Sequence, residues 1–100
     1  MRGEGLTKVM VEALPETGAI VVVHSVSMRA YVRSMVRSVR GDAVANRCRI
    51  VVVNQPCHLN ELLGASLPIR VDHAVEDCLP FSLVSQIQSI CDASNARFPS

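Results

Sequence analysis

Ala19-Ile-Val-Val-Val-His24 and Arg49-Ile-Val-Val-Val-Asn54 are two short runs of β-branched residues, continuous in their hydrophobicity rather than alternating with polar positions. A strand that is apolar on both faces must be covered on both faces, and this is the pattern of central strands in a parallel sheet enclosed by helices. Pro68-Ile-Arg-Val-Asp-His73 is a shorter third candidate, expected to lie beside them.

The segment joining the first two runs has a different period. Met28, Val32, Met35, Val36 and Val39 recur at helical spacing between Ser27 and Arg40, with Ser27 as the expected N-cap and Gly41 as the stop, taking a positive φ. A strand, a helix and a second strand in this order make a right-handed βαβ unit. Upstream, Leu6 to Leu14 predicts a helix closed by Pro15. Downstream, Leu59 to Leu63 predicts a short helix ended by Gly64, and Ser82 to Ala93 a longer one. The expected order is therefore α-β-α-β-α-β-α: a small three-layer α/β domain with a short, mainly parallel three-stranded sheet flanked by helices.

A chain of 100 residues has room for one such core, so residues 1–100 read as a single domain, with residues 1–5 expected to be flexible and 96–100 frayed. Its aromatics are Tyr31, Phe81 and Phe98, and the core must be filled by aliphatic residues; this argues against a carbohydrate- or base-stacking surface. No run approaches the roughly 20 apolar residues that span a bilayer, and the start lacks the layout of a secretory signal, so a soluble cytoplasmic protein is expected. Cys48 and Cys91 fall in apolar segments and read as buried free thiols. Cys57-His58 and Cys78 complete a set large enough for a metal, but no Cys-x-x-Cys pair occurs and no metal site is predicted.

Arg2-Gly-Glu-Gly-Leu-Thr-Lys8 places two glycines and a hydroxyl ahead of a helix, the ingredients of a backbone cradle for phosphate. With the valine strands, Leu62-Leu-Gly64 and Ile69-Arg-Val-Asp-His-Ala74, this start resembles a P-loop NTPase domain, and more closely the short degenerate P-loop-like accessory proteins of bacteriophages. The resemblance runs from Gly5 to about Asp77. It implies Thr7 as the loop hydroxyl and Asp72 as the aspartate on the metal side of a Mg-nucleotide, with Gly3, Gly5 and Lys8 completing the candidate phosphate side. Leu6 stands where the family has its lysine, and the strand that normally precedes the loop is missing, so hydrolysis is not expected. Taken by itself, Asp72 reads as an exposed strand-end carboxylate capping the following turn.

Two further constellations compete with that site. Ligands of open parallel sheets bind beyond the carboxyl ends of the strands, and His24, Asn54, Asp72 and His73 all fall there, with Ser25 and Ser27 nearby. No Gly-x-Ser-x-Gly elbow accompanies them, which excludes the common serine-hydrolase arrangement. The second is a ladder of Arg29, Arg33, Arg37 and Arg40 along one helix face, with no acid between Ser27 and Arg40. Six arginines against Asp42 give residues 27–49 a net charge of +5, whereas residues 50–100 carry −3, so the total of +1 conceals a dipolar surface.

Unrelieved like charges at this spacing mildly disfavour the helix and point to an anionic partner. The leading expectation is a noncatalytic interaction module that binds an acidic surface on a protein, a bacterial host protein if the chain is phage-encoded, and inhibits or modulates it. A vestigial nucleotide-binding protein and a nucleic-acid-binding domain are the alternatives; the first reading needs no cofactor.

Overall fold

The computed structural model describes residues 2–63 and 67–96, with side chains from residue 7 onward. The elements are α1 (Arg2–Glu12), β1 (Ile20–Val23), α2 (Val26–Arg40), α3 (Asp42–Arg47), β2 (Arg49–Val52), a 3-10 helix (Pro56–Glu61), β3 (Ile69–Val71), α4 (Ala74–Cys78) and α5 (Phe81–Asn95). Residues 1 and 97–100, parts of the stretches expected to be mobile, lie outside the described residues, as does Gly64.

The strands form one parallel sheet in the order β2-β1-β3, with Val21 opposite Ile50 on one side and Val22 opposite Val71 on the other. Alternation along the valine runs sends side chains to two separate cores. Val21, Val23 and Ile50 pack with Val11 and Leu14 at the α1 end, Val32 and Val36 of α2, and Val44 of α3. Ile20, Val22, Val51, Val53 and Ile69 pack with Leu62, Val75 of α4, and Leu83, Ile87 and Cys91 of α5. This is the three-layer α/β domain expected from the two continuous runs. Cys91 is buried as expected; Cys48 is half-buried, and Cys57 and Cys78 are exposed.

Several details differ from the sequence reading. The α2 cap is Ser25 rather than Ser27: its Oγ accepts from the Met28 N–H at 3.1 Å, because the helix begins at Val26. Gly41 takes φ 90° and ends α2, but it also starts α3, a short helix over Asp42–Arg47. The segment around Leu59 is a 3-10 helix, entered by Pro56 at its first position. Gly18 is indispensable to the α1–β1 turn. It has φ 101°, and a Cβ there would overlap the Arg47 carbonyl oxygen and stand 2.8 Å from its carbon.

The two outer edges of the sheet are finished differently. At β3, Asn95 of α5 acts as a substitute strand: its Oδ1 accepts from the Ile69 N–H at 2.7 Å and its Nδ2 donates to the Ile69 carbonyl at 2.9 Å. No residue of the described chain plays this part along β2.

Candidate functional site

The carboxyl ends of the three strands lie side by side, as the sheet order requires, with β1 in the middle. Asn54 joins the first two, its Nδ2 donating to the His24 carbonyl at 3.2 Å, while its own N–H donates to Nδ1 of His58 at 3.2 Å. His24 Nδ1 is closed off from solvent without a hydrogen-bond partner among the described residues. On the other side of β1, Asp72 and His73 follow β3, with His73 Nδ1 3.7 Å from Asp72 Oδ1. These residues stand at neighbouring strand ends, though no hydrogen bond or ion pair joins the His24–Asn54 pair to the Asp72–His73 pair among the described residues.

Asp72 is not the exposed carboxylate expected from its position: it is 1% exposed, and so is Thr7. The Thr7 hydroxyl donates to Asp72 Oδ1 at 2.9 Å, and Asp72 Oδ2 accepts from the Ala74 N–H at 3.2 Å. The expected cap on the following turn is present. Burial follows from strand alternation, because Arg70 and Asp72 face the α1 layer while Ile69 and Val71 face the other core. The two residues that the resemblance paired across 65 positions therefore meet. Gly3 and Gly5, however, lie within the first turns of α1, which begins at Arg2, rather than in a loop ahead of it; Lys8 is exposed on the same helix.

The arginine ladder divides into three parts. Arg40 is not a free binding residue: its Nη1 donates to the carbonyls of Val11 (3.2 Å), Glu12 (2.9 Å) and Leu14 (2.6 Å), closing the C-terminal end of α1. A cation at that pole of the helix dipole satisfies the Glu12 and Leu14 carbonyls and adds to the Leu14 N–H already donated to the Val11 carbonyl. Arg37 is exposed and forms an ion pair with Asp42 at 3.1 Å, an acid just beyond the stretch in which none was found. Arg29 and Arg33 keep no acidic partner among the described residues, and neither does Arg49 at the start of β2. Arg29 and Arg49 line one groove along β2 with Val26, Asn54, His58 and Glu61, of about 470 Å³.

Sequence reasoning missed Asn95 and the contacts of His58 and of Arg47, whose Nη1 donates to the Glu16 carbonyl at 3.2 Å. Each acts across a long sequence separation or through a backbone atom, and neither pattern nor composition marks such contacts. Among the described residues no group of three or more His, Cys, Asp or Glu is placed to hold a metal ion, and no helix is long and apolar enough to cross a membrane. Comparisons with protein-family models, with curated proteins and with solved structures find no match to this chain.

Proposed function

We propose that the chain is a noncatalytic binding module that docks an acidic surface of a partner protein through the amino-terminal half of α2. The observation that carries this reading is that Arg29, Arg33 and Arg49 form no ion pair among the described residues, with Arg29 and Arg49 lining the groove beside β2. A guanidinium pairs bidentately with a carboxylate, and arginines held by a helix and a strand lose little backbone entropy on docking. The resemblance to phage accessory proteins adds a host protein as the partner class, with inhibition or modulation as the consequence.

The test compares the wild type with the double reversal Arg29→Glu, Arg33→Glu as bait in nuclease-treated bacterial lysate. The wild type retains a protein that the reversal loses, while both give the same circular-dichroism spectrum and melting curve. Retention by the reversed variant refutes the arginine reading. Recovery of nucleic acid instead, with a log–log salt slope of about −2.7 for three phosphate contacts, replaces the protein partner with nucleic acid.

A second reading, a vestigial site for a Mg-nucleotide, rests on the Thr7–Asp72 contact alone, a buried pair with Gly3 and Gly5 inside α1 rather than in a loop. A nucleotide at 100 times its dissociation constant adds about 2.7 kcal/mol to stability, so millimolar Mg-ATP or Mg-GTP raises the melting temperature if this reading holds. An unchanged melting curve removes it.

A further inference from the structure

In a parallel ladder every second residue of an edge strand turns its backbone N–H and C=O away from the neighbour. Arg49 and Val53 donate to the Ala19 and Val23 carbonyls of β1 at 2.9 Å, so in β2 the outward residues are Ile50 and Val52. The next outward amides along the chain are already engaged. The Cys48 N–H donates to the Val44 and Ala45 carbonyls, and the Asn54 N–H to His58 Nδ1. Between these closures lies a window of two residues whose outward groups meet no partner among the described residues. Ile50, Val51 and Val52 all line the groove described above.

The walls of that groove differ in charge. On the α2 side stand Val26, 62% exposed, and Arg29, with Arg33 one turn further along and no acid paired with either arginine among the described residues. On the other side, the 3-10 helix contributes His58 and Glu61, and Arg49 shares this face with Val51 and Val53, so the charges there offset. On the opposite edge Asn95 closes Ile69, whereas this one is framed by closures at both ends with both outward residues left open.

We propose that the open edge of β2 receives an extended segment of the partner protein as an added strand, one in which carboxylates recur at every second position. Pairing with Ile50 and Val52 supplies the backbone hydrogen bonds, and the period of two turns every carboxylate toward Arg29 and Arg33 while uncharged residues face His58 and Glu61. This rests on the arginine reading of the function and adds the conformation and charge pattern of what binds.

Two synthetic peptides of about eight residues, both alternating Glu and Val, test it: one with an ordinary backbone and one N-methylated at every residue. The ordinary peptide binds the wild type, slows hydrogen exchange at the Ile50 and Val52 amides, and loses affinity for the Arg29→Glu, Arg33→Glu variant. The methylated peptide keeps every carboxylate but cannot donate to the edge, and it binds about thirtyfold more weakly, the equivalent of two ordinary hydrogen bonds. Equal binding of the two peptides overturns strand addition and leaves the arginine reading standing. Failure of both peptides, with lysate capture still dependent on Arg29 and Arg33, has the same meaning; failure together with loss of that dependence removes both. Protection of Ile50 and Val52 without peptide, rising with protein concentration, assigns the edge to a second copy of the chain and overturns the proposal.

Discussion

Replacing Arg40 with alanine separates two roles that the arginine ladder combines. The guanidinium Nη1 has two hydrogens for three carbonyls, at 3.2, 2.9 and 2.6 Å, so it makes about two good charge-assisted bonds with the third carbonyl sharing. Such bonds contribute about 1.5–3 kcal/mol each when shielded. The Glu12 carbonyl is exposed and water replaces the lost donor there, so the net loss is about 2–3 kcal/mol. For a domain of this size that lowers the melting temperature by about 10–20 °C. Arg40→Lys restores the positive charge at the C-terminal pole of α1 and recovers about 1 kcal/mol. Arg33→Ala removes an exposed side chain without a described partner and changes stability by less than about 0.5 kcal/mol. Urea unfolding followed by circular dichroism measures all three, with an unchanged slope showing that the same surface unfolds. If Arg40→Ala is as mild as Arg33→Ala, Arg40 belongs to the solvated face and the account of the α1 end is wrong.

Thr7→Val removes the hydroxyl donor to a buried carboxylate and lowers stability by about 2 kcal/mol or more in the same urea assay; an unchanged midpoint would mean that the pair does not tie α1 to β3. Gly18→Ala forces a Cβ into the Arg47 backbone at a positive φ and costs more than about 3 kcal/mol, so soluble, wild-type-like protein refutes the turn geometry. Burial pushes the Cys91 thiol up from 9.0 to about 11, with Asp92 adding to the effect and Arg70 opposing it. At neutral pH a thiol reagent therefore labels Cys57 and Cys78 rapidly and Cys91 only after unfolding, as peptide mapping reads directly. Because the folded state holds this proton more tightly than the unfolded chain, the associated stability is intact below pH 9 and is lost as the pH rises toward 11. Cys91→Ala flattens that part of the stability curve if the assignment is right.

The layers and the parallel sheet were legible in the sequence because they depend on local periodicity. Two continuous valine runs can be satisfied only by cores on both faces, and residues 19–24 and 49–54 carry that information without reference to the rest of the chain. The carboxyl-edge cluster was legible for the same reason, since polar residues mark where buried strands end. Tertiary structure decided the rest. Strand order placed β3 against β1 and left β2 with an open edge, a choice no run of residues encodes locally. Ser25 rather than Ser27 became the α2 cap because the chain leaves β1 directly into the helix. The four arginines of one stripe took three different roles because what they meet, the end of α1 for Arg40, Asp42 for Arg37, the groove beside β2 for Arg29 and no ion-pair partner among the described residues for Arg33, comes from elsewhere in the fold. Periodicity places a side chain on a face, but only the packing of distant segments determines what that face meets.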